Sequence, residues 1–287
     1  FFAISAMAAA MITSCSSEDE LSQSNYPSDN IIRVTAGVNN AKTRADGTGT
    51  EMKNDFSLTI VNKNAPKYTY TDKVFSKKSG DWACSETLLW QKSDALVDIV
   101  AFAPAQTGKF NGVYAEGSIK PITYSVASDQ STSSDKNDLL YYYAKDFNPG
   151  ESLDKGKLNI KFNHAFCMID INVTLGTEFN KPSIQTTSPI IKVTLGGTKI
   201  AANVNVTNAA SVVTASETAA ATDITTTNGS FTTAANAETN AKSCFSCIAI
   251  PQTVAANTFK VSLMTAGKRY EWTSDKEITL QSGYRYT

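Results

Sequence analysis

Gly156-Lys157-Leu158-Asn159-Ile160-Lys161-Phe162-Asn163-His164-Ala165-Phe166-Cys167-Met168-Ile169-Asp170-Ile171-Asn172-Val173 is the stretch on which the fold turns. Successive residues of a strand point to opposite faces, so alternation of apolar and polar residues marks a strand with one face buried. Leu158, Ile160, Phe162, His164, Phe166 and Met168 share one face, whereas Ile169, Ile171 and Val173 lie on the other. A slip of one residue exchanges the two faces. Two readings follow: a bulge near Met168 restores one core face, or the strand crosses between two cores. In both, it reads as the last strand of a first domain.

The chain on either side repeats the strand signal. Residues 55–61 alternate, and Tyr68-Thr69-Tyr70 with Val74-Phe75 forms another extended segment. Residues 95–102 are a continuous apolar run, as suits a central strand covered on both faces. Residues 119–126 and 138–144 follow, separated by a Ser/Asp-rich linker, 128–136, that reads as exposed. Gly176, Pro182 and Pro189 mark a loop at 176–188, where the domain boundary is placed. Beyond it, Gly196-Gly197 reads as the turn of a hairpin spanning 190–206, Asn228-Gly229 as a second, and Ala266-Gly267 as a third. Residues 207–243, rich in Ala, Thr, Asn and Ser, read as short edge strands and long loops. Residues 283–287 lie inside a fresh alternation, so the C-terminal unit reads as truncated.

The 287 residues are 41% hydrophobic, enough for one large core or two ordinary ones. Thr, Ser, Asn, Val and Ile are abundant and long 3.6-period helical stretches are absent, which favours an all-β secreted protein. With 26 basic and 27 acidic residues, no electrostatic footprint for nucleic acid is present. Phe1 to Ser14 is uncharged and short of the roughly 20 residues of a membrane span. It reads as part of a secretory signal. Ile12-Thr13-Ser14-Cys15 resembles a bacterial lipobox, making Cys15 the lipidation site, with acyl chains as the anchor. Ser16-Ser17-Glu18-Asp19-Glu20 then resembles the surface-export signal of Bacteroidetes lipoproteins, and residues 16–30 read as a tether.

Candidate chemistry is sparse. Cys244-Phe245-Ser246-Cys247 has the spacing of half a zinc knuckle or a redox pair. No second such pair exists, and His164 is the only histidine in the sequence. Residues three apart on a strand also face opposite ways. Cys84, Cys167, Cys244 and Cys247 therefore read as buried thiols, with no metal and no cofactor. His164, on an apolar face, reads as a buried, hydrogen-bonded residue without a nucleophile partner. Asp138 reads as a turn or cap residue. Trp82, Trp90 and Trp272 read as core residues, with a sugar-stacking surface as the rival. No catalytic residues are assigned, and the chain reads as a non-enzyme.

Taken in order, several blocks resemble one family. They are the lipobox; a strand followed by Thr43-Arg44-Ala45; Leu88-Leu89-Trp90 with residues 97–104; Asp138-Leu139-Leu140-Tyr141-Tyr142; Phe162-Asn163-His164-Ala165; Ile250-Pro251-Gln252; and residues 280–286. The set resembles the fimbrillins, the type V pilus subunits of Bacteroidetes. The resemblance implies two tandem antiparallel β-sandwiches of transthyretin-like type. The layout is a partial signal at 1–14, a lipidated tether at 15–30, one sandwich at 31–176 and a second at 177–287. It further implies an adhesive pilus subunit, delivered as a lipoprotein to the outer membrane and cell surface. An arginine-specific protease would cut between Arg44 and Ala45. The strand carrying Ile31, Ile32, Val34, Ala36 and Val38 would then be displaced by a strand from a neighbouring subunit. Its partners are other pilus subunits, the protease, the outer membrane and a host or bacterial surface ligand. The alternative is a monomeric surface glycan-binding or adhesin lipoprotein.

Overall fold

The computed structural model describes residues 25–39, 52, 54–105, 114–115, 118–134, 137–179, 186–236 and 238–287. In chain order the first strands are β1 (Arg33–Val38), β2 (Phe56–Val61), β3 (Tyr70–Lys78), β4 (Asp81–Cys84), β5 (Val97–Ala103), β6 (Tyr114–Ala115), β7 (Ser118–Ile119), β8 (Ile122–Ser125), β9 (Leu140–Phe147), β10 (Lys157–His164) and β11 (Cys167–Thr174). The remainder are β12 (Ile190–Gly196), β13 (Ala201–Val204), β14 (Val213–Ala215), β15 (Ile224–Thr225), β16 (Thr227–Thr232), β17 (Lys242–Ala249), β18 (Gln252–Val254), β19 (Lys260–Thr265), β20 (Arg269–Thr273), β21 (Ile278–Leu280) and β22 (Arg285–Tyr286). A single helical turn, Pro149–Ser152, is capped by the Asn148 side chain, which accepts from Gly150 N. The all-β class expected from the composition holds.

The N-terminal strands close a barrel in the order β1-β10-β9-β5-β2-β3-β4. Its interior is a packed core in which Phe56, fully buried, contacts the rings of Phe75, Trp82 and Phe162 at 5.0–5.4 Å. Every residue of β2 and β5 is buried, so the run expected to be covered on both faces at 95–102 is so covered from Val97 onward, whereas Leu96 is 48% exposed. One face of each fills the barrel. The other, carrying Val61, Val100 and Phe102, packs into a second core shared with β8, β11, β13 and β17.

The chain changes core at Ala165 and Phe166, just before the break in the alternation expected near Met168. β10 lies in the barrel; Ala165 and Phe166 form a bend; β11 then pairs along its whole length with β17, from Cys167 opposite Ala249 to Thr174 opposite Lys242. Of the two readings of the phase change, the crossing is the one found, because the facing flips where the sheet partner changes. Two further sheets, β16-β17-β11-β22 and β15-β12-β19-β20, pack together through Val193, Ile190 and Phe245. Hydrogen-bonded pairing does not divide at residue 176. β8 pairs with β13 and β11 with β17, and a common core spans both stretches.

Other local expectations differ from the structure for identifiable reasons. Gly196-Gly197 is not a hairpin turn: β12 and β13 belong to different sheets. Gly197 has φ +82°, and a Cβ there would run into the Thr258 carbonyl, so glycine lets the chain pass from one sheet to the next. Asn228-Gly229 sits within β16 as an irregularity against β17, and a Cβ on Gly229 would lie 2.9 Å from the Cys244 carbonyl oxygen. The Ala266-Gly267 hairpin is present, with Met264 opposite Arg269. Pairing is not wholly antiparallel, since β1 with β10 and β11 with β22 run parallel. Trp82 and Trp90 pack into the barrel, but Trp272 is 56% exposed on β20.

Residues 128–134 of the linker are not a free loop. Gln130 is fully buried: its Nε2 donates to Ile248 O (2.9 Å) and Ala127 O (3.1 Å), and its Oε1 accepts from Ile248 N (2.8 Å). One side-chain amide thus serves both backbone groups of a β17 residue. Cys167 and Cys247 are buried and Cys84 and Cys244 partly so, all with free thiols. Burial pushes the Cys167 thiol up to about 12 and raises that of Cys247 as well.

Replacing Gln130 by Leu should lower unfolding stability by about 1–3 kcal/mol, as expected for orphaned buried backbone groups. Denaturant titration measures this, and a midpoint equal to the parent's would refute the role. Thiol labelling of the native protein should reach Cys84 and Cys244 first, and Cys167 and Cys247 only on unfolding, because the thiolate is the reactive form. Mass mapping of the labelled positions checks the order.

Candidate functional site

The seat of β1 is the part of the fold whose geometry suggests a task. Ile32, Val34, Ala36 and Val38 alternate along it, and all four pack against the barrel core. Ile32 and Val34 are buried, and each contributes about 1.5–3 kcal/mol relative to exposure. Ile31, the first residue of the expected displaced strand, is out of phase and bridges to Leu89 instead. Arg33 and Thr35 face solvent.

The pairing of β1 is lopsided. It runs parallel to β10 over six registered pairs, from Arg33 opposite Lys157 to Val38 opposite Phe162. On its other edge it meets β4 at one pair, Val34 opposite Trp82. Beside that seam lies a gap of about 230 Å³, bordered by Ile32, Phe75, Trp82, Cys84 and Leu88. β10 in turn pairs with β9 only through Asn163 opposite Tyr141 and His164 opposite Leu140. The segment Lys157–Phe162 therefore depends on β1 for its ladder, and without β1 its backbone groups become an open edge.

Both ends of β1 are clamped. At the entrance, Ile32 N donates to Leu88 O (2.9 Å) and Trp90 N to Asn30 O (2.8 Å). Arg33 forms two hydrogen bonds to the Asp29 carboxylate, at 3.0 and 2.5 Å. Those bonds, with Ile31 N at 3.0 Å, hold the Asp29 carboxyl down at about 2, so the pair stays charged at neutral and mildly acidic pH. At the exit, Asn39 N donates to Phe162 O and Asn39 Nδ2 to Asn163 Oδ1, both at 2.8 Å. Met52 is buried in the barrel core. Cys15, Arg44 and Ala45 lie outside the described residues.

The clamp residues Leu88, Trp90 and Asn163 were not identifiable as such in the sequence. Each acts through a backbone group or an exposed amide whose partner is dozens of residues away, and no spacing reports that. His164, expected to be buried and hydrogen-bonded, is so: its Nδ1 lies 2.6 Å from Asp138 Oδ2. Asp138 is thus a histidine partner rather than a simple turn residue. No group of three or more metal-ligating side chains occurs among the described residues.

Comparison with known proteins agrees with the architecture. A candidate cell adhesion protein from Bacteroides uniformis superposes with a TM-score of 0.56 at 13% identity, over 90% of this chain and 91% of that one. A fimbrial protein from Bacteroides vulgatus gives a TM-score of 0.52 at 16% identity, over 88% of this chain and 90% of that one. At such identities the likeness is one of fold. No curated protein matches in sequence. The model of a structural rather than enzymatic family, described as fimbrillin-like, matches residues 43–287, beginning just after β1 and covering most of the chain. This chain therefore belongs to the fimbrillin-like family.

Proposed function

We propose that the chain is a subunit of an adhesive surface fimbria, delivered to the outer membrane as a lipoprotein through Cys15, and that β1 is its removable strand. The observation that carries this reading is the unequal pairing of β10, six residue pairs to β1 against two to β9. Cleavage between Arg44 and Ala45 by an arginine-specific protease severs the connection between Asn39 and Met52 and leaves β1 held by noncovalent contacts alone. A strand from a neighbouring subunit then takes its place, restoring the β10 ladder and filling the barrel's inward positions.

The physical driving force is strand addition. Backbone N–H and C=O groups of Lys157–Phe162 supply affinity, and the inward positions of Ile32, Val34, Ala36 and Val38 supply selectivity for apolar residues at every second site. Family membership supports the assignment, as does the fold shared with a Bacteroides vulgatus fimbrial protein. Partners on this reading are other fimbrial subunits, the protease, the outer membrane and a surface ligand.

An arginine-specific protease added to the folded protein should cut after Arg44 and produce ladders of stable polymers on gels. Arg44→Ala should remain uncut there and monomeric. Equal polymer from that variant, or none from the cut parent, overturns the reading. A synthetic peptide of residues 31–38 should cap the cut subunit and suppress ladders, whereas the same peptide with Val34→Asp should not, because the carboxylate would enter a site that is 4% exposed. Suppression by both peptides would show that the inward positions do not select.

A further inference from the structure

We propose that a cleft between the barrel and the C-terminal turns is a binding site for a short neutral oligosaccharide. The cleft measures about 640 Å³, within the roughly 300–1,000 Å³ of small-ligand sites. One wall is the barrel end, with Asn39, Tyr141, Asn163 and His164. The facing walls are two turns, residues 209–213 and 281–284.

Its chemistry selects the ligand class. Among the described residues, no Lys, Arg, Asp or Glu lines it. An anionic ligand would need guanidinium or ammonium partners, and a cation would need carboxylates. What the lining offers instead is side-chain amides from Asn39, Asn163 and Gln281, and two tyrosines, Tyr141 from the barrel and Tyr284 from the turn. Amides both donate and accept, as do sugar hydroxyls, and tyrosine joins an apolar ring face to a polar tip. His164 is turned to Asp138 through Nδ1, which fixes its ring within the barrel-end wall.

Hydrogen bonds within the chain shape both walls. Asn205 Oδ1 accepts from Thr207 N (3.2 Å) and Thr207 Oγ1 (2.8 Å), and Asn208 Oδ1 accepts from Ala210 N (3.2 Å). Two successive side-chain-closed turns therefore shape the first wall. The second is tied to the junction between cores: Gly283 N donates to Phe166 O (3.0 Å), Met168 N to Tyr284 O (2.9 Å) and Gln281 N to the Tyr286 hydroxyl (2.8 Å). Preformed walls reduce the ordering cost of binding a flexible, hydroxyl-rich ligand. The site names a ligand class for the adhesive role proposed above. Asn39 leaves with the cleaved segment while the other lining residues remain, so the whole site is present in the uncut monomer and its test is independent of strand exchange.

The test titrates the uncut full chain with a panel of free neutral tri- and tetrasaccharides of hexose and N-acetylhexosamine units, read by calorimetry and ligand-observed NMR. At least one should bind saturably with Kd below about 1 mM. Ala210→Trp, which places an indole in the cleft, and Gln281→Ala/Ser282→Ala, which removes an amide and a hydroxyl from the lining outside the β1 clamp, should each weaken it about tenfold at unchanged Tm. A variant with lowered Tm is replaced in the test by Gln281→Ala alone, whose expected loss is about threefold. The proposal is overturned if no neutral sugar binds at this concentration, if binding is indifferent to the variants, or if only sialylated sugars or extended peptides bind.

Discussion

The bend at Ala165 and Phe166 is the constraint on which the molecule depends. One continuous run of chain supplies the barrel strand β10 and the core strand β11, so two residues must pass it from one hydrophobic environment to another. Both are buried, and both have backbone partners from elsewhere: Ala165 N donates to Leu139 O at 2.8 Å, and Phe166 O accepts from Gly283 N at 3.0 Å. A buried bend without such partners would leave polar groups stranded. The Phe166 ring, 5.4 Å from that of Tyr124, fills the space where the barrel, β8 and the later sheets meet. Everything downstream of the bend is positioned by it.

On the barrel side of the bend, β10 joins the earliest strand of the chain to the rest. The β1–β10 pairing links residues more than a hundred positions apart and runs parallel, a geometry no hairpin can produce. Closing so long a loop costs more entropy than local pairing does. β1 is therefore the least local element of the barrel, while β2 to β5 are joined through neighbours in sequence. That asymmetry makes it physically reasonable for the same seat to be filled by a strand from elsewhere. The requirement is a pattern of apolar residues at alternate positions, not a covalent link.

On the other side of the bend, a chain rich in Thr, Ser and Asn builds its core with a few polar devices. Gln130 satisfies Ile248 on both its backbone groups, and Thr227 Oγ1 donates to Gln130 O, fastening β16 to the same point. The Arg285 guanidinium pairs with Asp170 across the parallel contact of β22 with β11. Thr227 is short and reaches its carbonyl at little entropic cost, whereas ordering the longer Gln130 costs rotamer freedom that its three side-chain hydrogen bonds offset. The cleft follows from the same arrangement, lying where the barrel end and the turns tied to the bend leave space between them.

The sequence by itself determined the all-β class, a strand buried on both faces within residues 95–102, the Ala266-Gly267 hairpin, and the presence of a phase change in the long alternation near Met168. These are consequences of period-2 patterning and turn chemistry, which are local. The family was legible too, in the order of motifs along the chain. Which strands pair was not. Gly196-Gly197 and Asn228-Gly229 have the composition of hairpin turns, yet one carries the chain between sheets and the other is an irregularity inside a strand. Gln130 looks like a linker residue and is fully buried. Side-chain pattern reports which face of a strand is buried, but strands join through backbone N–H and C=O groups that are nearly the same at every residue. The partner of an edge, and with it the seat of β1 and the walls of the cleft, was decided only when the whole core packed.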